Sequence, residues 1–238
     1  MAKFLCVMSG KGGVGKTTSA INIGLALTKL GLNTVVLDGN LSSPNLATHL
    51  GSAYYPVTIH DVMRETHNID SAIYKHPSGL KIIPADVAVE SMRIINFDKL
   101  EQQLQDLHLN MDYVIIDGSP GLGRESTRLI GLSDEILVVT NQDMPSVIDA
   151  KRLIEFAQKF NKTIAGLLVT KYKNKKHKLK TEEIEDYLGI PVLAKIPHDV
   201  RFEKTLKDKV PYIHIYPKRK ASKEYYNLAK RLSGRVRT

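Results

Sequence analysis

The sequence predicts a three-layer α/β fold, in which a doubly wound and mostly parallel sheet carries helices on both faces. Short apolar runs alternate along the chain with segments of helical periodicity, as in parallel sheets whose strands are connected by helices. Runs such as VIIDG and ILVVTN are apolar throughout, which is expected of strands that are buried on both faces. The length of 238 residues and the 42% hydrophobic content suit one large domain, 1–238, with a substantial core.

The elements follow from these patterns in chain order. The first apolar run predicts a strand over 4–9, and the helix after the next, glycine-rich loop ends at Gly31. Further strands are predicted at 33–38, 79–85, 111–119, 134–141, 163–170 and 191–197. Helical patterns fill most of the gaps, at 45–50, 58–65, 90–108, 123–131, 145–160, 180–188, 200–207 and 219–233.

The loop after the first strand has the spacing of a phosphate-binding loop. GKGGVGKT, from Gly10 to Thr17, fits G-x-x-x-x-G-K-S/T and lies between a predicted strand and a predicted helix. Glycines let the backbone approach phosphates and point its N–H groups inward, and the helix N-terminus adds positive charge. Lys16 is expected to reach the β- and γ-phosphates, the Thr17 hydroxyl to bind Mg²⁺, and Thr18 to contact the α-phosphate. The predicted nucleotide-binding residues of this loop are therefore Gly10, Lys11, Gly12, Gly13, Val14, Gly15, Lys16, Thr17 and Thr18.

Two aspartates end apolar strands beside this loop. Asp117 ends DYVIID and is expected to hold Mg²⁺, and the GSPGLG that follows it is typical of a loop that senses the γ-phosphate. Asp38 ends TVVLD, at the carboxyl edge of the sheet where ligands bind in open α/β folds, and it is a second metal and catalytic candidate. For each residue the alternative is a structural aspartate that caps a helix or a turn.

Lys11 is a second lysine inside the loop, and one lysine is enough for phosphate binding. With it, KGGVGKTT resembles the deviant Walker A loop of the MinD/ParA family of P-loop ATPases. The stretch DGNLSSPNLATHLG is most similar to the MinD-like proteins of archaea. The resemblance implies ATP and Mg²⁺ as ligands, slow ATP hydrolysis, and an ATP-dependent homodimer in which Lys11 reaches the nucleotide of the other subunit.

The resemblance also identifies positions where this chain departs from the family. Many relatives have a second aspartate two residues after the first, and here Asn40 replaces it. An asparagine orients a water molecule but cannot take its proton, so Asn40 as a catalytic residue implies slow turnover. The asparagine that contacts adenine in the family corresponds here to Thr170, and IPHD resembles the segment that packs on the base, with Pro197 and Asp199 as candidates.

The amino-acid composition indicates the cellular compartment in which the protein is expected. The single cysteine, Cys6, lies in an apolar run and indicates a small buried side chain in a reducing environment. No apolar run approaches the roughly 20 residues that span a bilayer, and no signal peptide is recognisable, so a cytoplasmic location is expected, with peripheral contact to the inner face of the cell membrane as an option.

The net charge of +9 comes from two segments. The lysine loop, 171–180, carries +6, and the C-terminal segment 218–238 carries +7, so the rest of the chain is at −4. Such clusters suit an anionic partner, whereas a purely solvated surface is the alternative. In the last helix the apolar stripe Tyr225, Leu228, Ala229 and Leu232 favours packing on the core over membrane insertion, and no dedicated insertion helix is expected after Gly234.

Three functions remain open on this basis. The first is a MinD-like switch that acts in positioning the division site, a protein or a cell pole, through reversible contact with a membrane or a partner protein, whose identity as activator or cargo the sequence does not give. The second is a ParA-like partitioning ATPase that binds nonspecific DNA, and the third is a nucleotide-gated scaffold with little turnover. Relatives that use paired cysteines, such as iron–sulfur carriers, are disfavoured because Cys6 is the only cysteine.

Overall fold

The structure is a computed structural model, and it describes residues 1–52, 54–88 and 96–234. Its strands are β1 (Lys3–Ser9), β2 (Thr34–Asp38), β3 (Tyr74–Lys75), β4 (Lys81–Ile83), β5 (Tyr113–Pro120), β6 (Glu135–Thr140), β7 (Thr163–Tyr172) and β8 (Val192–Pro197). Among the described residues they form one eight-stranded sheet in the order β3-β4-β2-β5-β1-β6-β7-β8. Every neighbouring pair is parallel except β3 and β4, which are antiparallel.

The helices are α1 (Lys16–Lys29), α2 (Leu46–His49), α3 (Ile59–Met63), α4 (Phe97–Asn110), α5 (Arg124–Leu132), α6 (Met144–Lys159), α7 (Thr181–Leu188), α8 (Arg201–Lys207), α9 (Tyr212–Ile215) and α10 (Lys220–Leu232). One apolar core packs α3 to α7 against one face of the sheet. A second core packs α1, α2, α9 and α10 against the opposite face. The predicted three-layer, doubly wound architecture is therefore confirmed.

In the central strand β1, apolar residues do not alternate with polar ones, because both faces of the strand are buried. Phe4, Cys6 and Met8 face the first core, whereas Leu5 and Val7 face the second, and all five are almost completely buried. A strand covered on both faces needs apolar side chains at every position. The same strand ends at the phosphate loop, so the core fixes the position of the site.

The predicted elements differ from the structure mainly at the edge of the sheet and in short turns. The strand expected at 79–85 spans only Lys81–Ile83, and it pairs with the two-residue strand β3, which was not predicted. The short helix α9 and a 3₁₀ turn at Ile69–Ala72 were also missed. The helix expected at 90–108 begins at Phe97 within the described part of the chain, and 90–95 lie outside it.

The last helix packs on the core, as its stripe predicted. Tyr225, Leu228, Ala229 and Leu232 are buried in the second core. The Tyr113 hydroxyl donates to the Leu232 carbonyl over 2.7 Å, which ties the end of α10 to the start of β5. Residues 235–238 lie outside the described part of the chain, so the expectation about an insertion helix there is not tested. No helix in the described ranges has the length and apolarity to cross a membrane.

Candidate nucleotide site

The phosphate loop follows β1 at the carboxyl edge of the sheet. Its two flanks are the loops after β5 and β6, because these strands are the neighbours of β1. Gly10 touches α6 so closely that a Cβ atom there would lie 2.2 Å from the Asp149 carbonyl oxygen. Gly15 has a φ of 97°, in the left-handed region, and leads directly into α1. A side chain at Gly10 and an ordinary residue at Gly15 would both distort the loop.

A cavity of about 530 Å³ opens beside this loop. Ten of the predicted site residues line it: Gly12, Gly13, Gly15, Lys16, Thr17, Thr18, Asn40, Thr170, Pro197 and Asp199. Five others do not line it: Gly10, Lys11, Val14, Asp38 and Asp117. The volume falls within the range of ordinary small-molecule sites, so the cavity has room for a nucleotide.

Lys16 and Asp117 form a buried ion pair at the base of the cavity. The Lys16 ammonium lies 3.0 Å from Asp117 Oδ1, and the two side chains are 9% and 0% exposed. Asp117 Oδ2 is buried and makes no hydrogen bond to any described residue. A buried carboxylate oxygen without a donor is an unsatisfied acceptor, and a metal ion or a metal-bound water would satisfy it. The unpartnered Asp117 oxygen therefore fits Mg²⁺, and the hydroxyl of Thr17, which lines the cavity, is of the oxygen-ligand type that Mg²⁺ prefers.

Asp38 lies directly opposite Asp117 on the adjacent strand. Its Oδ1 accepts from the Asn40 N–H over 3.2 Å, and its Oδ2 accepts from the N–H groups of Asn45 and Leu46 over 3.0 and 2.9 Å. Burial raises the pKa of the Asp38 carboxyl, and the adjacent Asp117 raises it further. Asp38 thus makes the contacts of a structural aspartate that caps a helix, because its carboxylate accepts from the N–H groups at the start of α2. Metal binding by Asp38 stays a prediction.

Asn40 is nearly buried and lines the cavity. Its side-chain amide donates to the Ser43 carbonyl, within the turn that follows β2. This contact orients the side chain at the cavity wall, beside the Asp38 carboxylate. The position suits a residue that orients water, and its part in hydrolysis stays a prediction.

Thr170 contacts the phosphate loop instead of presenting a free hydroxyl. Its Oγ1 donates to the Val14 carbonyl and accepts from Asn141 Nδ2 over 2.7 Å. Asn141 Nδ2 also lies 3.1 Å from the Thr170 carbonyl and 3.4 Å from the Val14 carbonyl. A contact between Thr170 and a nucleotide base stays a prediction.

Pro197 and Asp199 form part of the cavity wall at the end of β8. Asp199 pairs with Arg201 at 3.1 Å and accepts from the Tyr212 hydroxyl at 2.7 Å. The Phe202 ring stacks on Tyr212 with centroids 4.0 Å apart. Burial would raise the pKa of Asp199, but hydrogen bonds from Arg201 and Tyr212 lower it below its usual value. Arg201 and Tyr212 therefore already bind the Asp199 carboxylate.

Lys11 differs from Lys16 in its surroundings. It is exposed, and its side chain makes no hydrogen bond or ion pair with the part of the chain that the structure describes. Only its backbone carbonyl is engaged, by the Ser9 hydroxyl at 2.9 Å. One lysine of the loop is thus directed inward to Asp117, and the other is accessible from outside the subunit.

Sequence reasoning missed three residues next to the site. Asn141 and Gln142 follow β6, and Lys171 is the penultimate residue of β7. Lys171 Nζ donates to the Gly13 carbonyl over 2.8 Å. Gln142 accepts from the Lys173 N–H at 2.6 Å and donates to the Leu179 carbonyl at 2.9 Å, so one side chain holds both ends of the lysine loop. The signal was present, since Asn141 and Gln142 are polar residues at the carboxyl end of an apolar strand.

Comparisons with known proteins agree with this geometry. A family model described as "ParA: NUBPL iron-transfer P-loop NTPase" matches residues 1–233. An uncharacterized ATP-binding protein of Methanocaldococcus jannaschii is 34% identical over 234 residues, which cover 98% of this chain and 89% of that protein.

Solved structures of similar proteins match over nearly the whole chain. The cell division ATPase MinD of Pyrococcus furiosus superposes with a TM-score of 0.93 at 28% identity, covering 99% of this chain and 100% of that one. The septum site-determining protein MinD of Pyrococcus horikoshii, solved in complex with Mg-ADP, gives a TM-score of 0.91 at 27% identity and covers 98% and 96% of the two chains. These proteins share the fold of this chain.

Proposed function

The chain belongs to the ParA family of P-loop NTPases, and from this premise we propose that it is a MinD-type ATPase that dimerises around ATP. In this proposal the dimer acts as a positioning switch for the division site, for a protein or for a cell pole. It contacts an anionic membrane surface or a partner protein reversibly, and hydrolysis returns it to the monomer.

The observation that carries the proposal is the difference between the two lysines of the loop. Lys16 is buried on Asp117, so it serves the phosphates bound by its own subunit. Lys11 is exposed and lacks a partner among the described residues, so it is accessible to a second copy of the chain. A cation supplied by the partner subunit stabilises charge on the transferring phosphoryl group and makes activity depend on assembly.

The nucleotide is proposed to be ATP with Mg²⁺. The Pyrococcus horikoshii relative holds Mg-ADP, and the Methanocaldococcus jannaschii relative is described as ATP-binding. Thr17 and Asp117 would hold the metal, with Asp38 beside them, and the metal would neutralise charge on the phosphates. The loop N–H groups and Lys16 bind the phosphates. Pro197 forms part of the cavity wall and would pack on the base of the nucleotide.

Hydrolysis is proposed to be slow because Asn40 replaces an aspartate. Its amide is held by the Ser43 carbonyl at the cavity wall, where it orients water but takes up no proton. Positioning and charge supply most of the catalysis of phosphoryl transfer, so turnover persists at a low rate. Turnover that is absent altogether would instead favour the nucleotide-gated scaffold.

Iron transfer, which the description of the family model mentions, is not part of the proposal. The only cysteine, Cys6, is buried in the central strand, and burial raises the pKa of its thiol to about 12. A protonated and inaccessible thiol is a poor metal ligand, since the thiolate is the form that binds metal.

A second candidate is the ParA-like DNA-partitioning ATPase. It is favoured by the lysine loop, in which Lys175, Lys176 and Lys180 are exposed and which Gln142 holds at Lys173 and Leu179. A cluster of exposed cations suits contact with a phosphate backbone, with an affinity that falls steeply as salt rises.

Sedimentation velocity tests the proposal. With Mg²⁺ and a nonhydrolysable ATP analogue, the wild type should become dimeric, while Lys11→Ala should bind the analogue and stay monomeric. Lys159→Ala, which removes an exposed charge at the far end of α6, is the matched control and should dimerise. Steady-state phosphate release by the wild type should be slow but above background. A wild type that stays monomeric with the analogue bound would refute the proposal, as would a Lys11→Ala variant that dimerises fully.

A further inference from the structure

The phosphate loop is held by Asn141, which follows β6, and by Thr170 and Lys171 of β7. Two consecutive carbonyl groups of the loop, those of Gly13 and Val14, accept hydrogen bonds from these residues. The Gly13 carbonyl accepts from Lys171 Nζ over 2.8 Å. The Val14 carbonyl accepts from the Thr170 hydroxyl and lies 3.4 Å from Asn141 Nδ2.

Because of peptide geometry, these contacts also fix the direction of the backbone N–H groups of Val14 and Gly15. In a trans peptide the carbonyl of one residue and the N–H of the next point in opposite directions. Because Lys171 binds the Gly13 carbonyl, the Val14 N–H points away from Lys171. Because Thr170 binds the Val14 carbonyl, the Gly15 N–H points away from Thr170. Backbone N–H groups bind phosphate in such loops, so contacts that fix the direction of these two N–H groups preset the anion site.

The backbone of Lys171 adds a second observation. Its φ is 51°, in the left-handed region that residues other than glycine seldom adopt. Asparagine and glycine tolerate this conformation better than lysine. At this unfavourable backbone position the Lys171 side chain contacts the phosphate loop. Lys171 also lines the cavity, next to the glycines it holds.

We propose that Lys171 is a positioning residue for nucleotide binding, which fixes the Gly13 peptide so that its neighbour's N–H faces the phosphates. The inference rests on the proposed nucleotide-binding function and extends it to a residue outside the loop motif. Lys171 acts through the loop backbone, and the other lysines of the lysine loop do not share this role. Of these, Lys176 is exposed, and its side chain makes no hydrogen bond or ion pair with the described residues.

Binding of Mg-ADP to single variants of the full chain tests the inference. Lys171→Met keeps the length of the side chain but removes its donor, and the dissociation constant should rise at least about tenfold, as expected for one lost hydrogen bond from a charged group. Lys176→Met removes the same charge a few residues away and should change the constant less than twofold. Lys171→Arg keeps a cationic donor and should restore most of the affinity. Thermal unfolding of the nucleotide-free variants should match the wild type.

The outcomes separate this inference from the proposed function. Equal affinities of Lys171→Met and Lys176→Met for Mg-ADP would overturn the positioning role alone. An unfolding midpoint of nucleotide-free Lys171→Met several degrees below that of Lys176→Met would also overturn it, because the contact would then serve the fold in general. A wild type that binds no nucleotide would overturn the proposed function and this inference together.

Discussion

At the residue scale, the buried pair of Lys16 and Asp117 links nucleotide binding to stability. Asp117 is fully buried in β5, and Lys16 is its nearest cation, at 3.0 Å. Removing one member of such a pair leaves an uncompensated charge, which costs far more than the pair contributes. Loss of nucleotide binding by a Lys16 variant therefore needs a control that separates affinity from folding.

Lys16→Met should destabilise the nucleotide-free protein by about 3–5 kcal/mol, because Asp117 loses its counter-charge in the core. The double variant Lys16→Met/Asp117→Asn leaves no buried charge and should recover most of this loss. Urea unfolding followed by circular dichroism measures both, with Lys159→Met as an exposed control near zero. Neither variant should bind Mg-ADP tightly. An equal loss of stability in the single and the double variant would contradict the argument.

Individual residues also show which parts of the site could be predicted from the sequence and which could not. Gly10, Lys16 and Thr17 were identifiable because a short motif contains them and local spacing reports their role. The contacts of Asn141 and Lys171 with the loop were not identifiable, since these residues lie 127 and 158 positions away from the residues they contact. Such contacts depend on which strands become neighbours, and no local pattern records this. The expectation for Thr170 had the right location, but its hydroxyl bonds to the loop.

At the scale of elements, the apolar runs identified the strands well because both faces of the sheet are covered. The two-residue strand β3 escaped prediction because it pairs only with the edge strand β4 and has too few residues for a pattern. The end of β7 was also misjudged. The strand continues to Tyr172, so the lysine loop begins inside a strand.

The lysine loop is anchored by one amide, that of Gln142, which is 5% exposed. Gln142→Ala removes its bonds to the Lys173 N–H and the Leu179 carbonyl. Each bond contributes about 1 kcal/mol, so local opening should become at least about tenfold more frequent. Trypsin, which cuts after lysine, should then cleave within 173–180 correspondingly faster, and mass spectrometry locates the cuts. Gln158→Ala, at an exposed position of α6, should be cleaved there at the wild-type rate. If both variants are cut equally fast, Gln142 is not the anchor.

At the scale of the whole molecule, part of the second basic segment lies at the same end as the lysine loop. The lysine loop follows the carboxyl end of β7, next to the cavity. The basic residues that lead into α10 lie at this end, because Tyr225 in the middle of this helix lines the cavity and Leu232 at its end contacts the start of β5. Lys230 and Arg231, in the last turn of α10, therefore lie at the opposite end of the sheet, a division of the basic segment that the sequence could not establish.

This arrangement predicts a salt-dependent and local interaction with anionic surfaces. Lys175→Glu/Lys176→Glu reverses two charges of the lysine loop, and Lys29→Glu/Lys159→Glu reverses two exposed charges at the opposite end of the sheet. With the ATP analogue bound, the wild type should co-sediment with phosphatidylglycerol vesicles at low salt and dissociate as salt increases.

Each lysine near a membrane contributes about 1 kcal/mol, so the lysine-loop variant should need at least about tenfold more lipid, and the opposite-end variant should behave like the wild type. A parallel titration with duplex DNA separates the two candidate functions. Tight DNA binding with no vesicle binding would favour the partitioning ATPase. Equal losses in both double variants would mean that only net charge matters, and would contradict a basic surface located beside the nucleotide site.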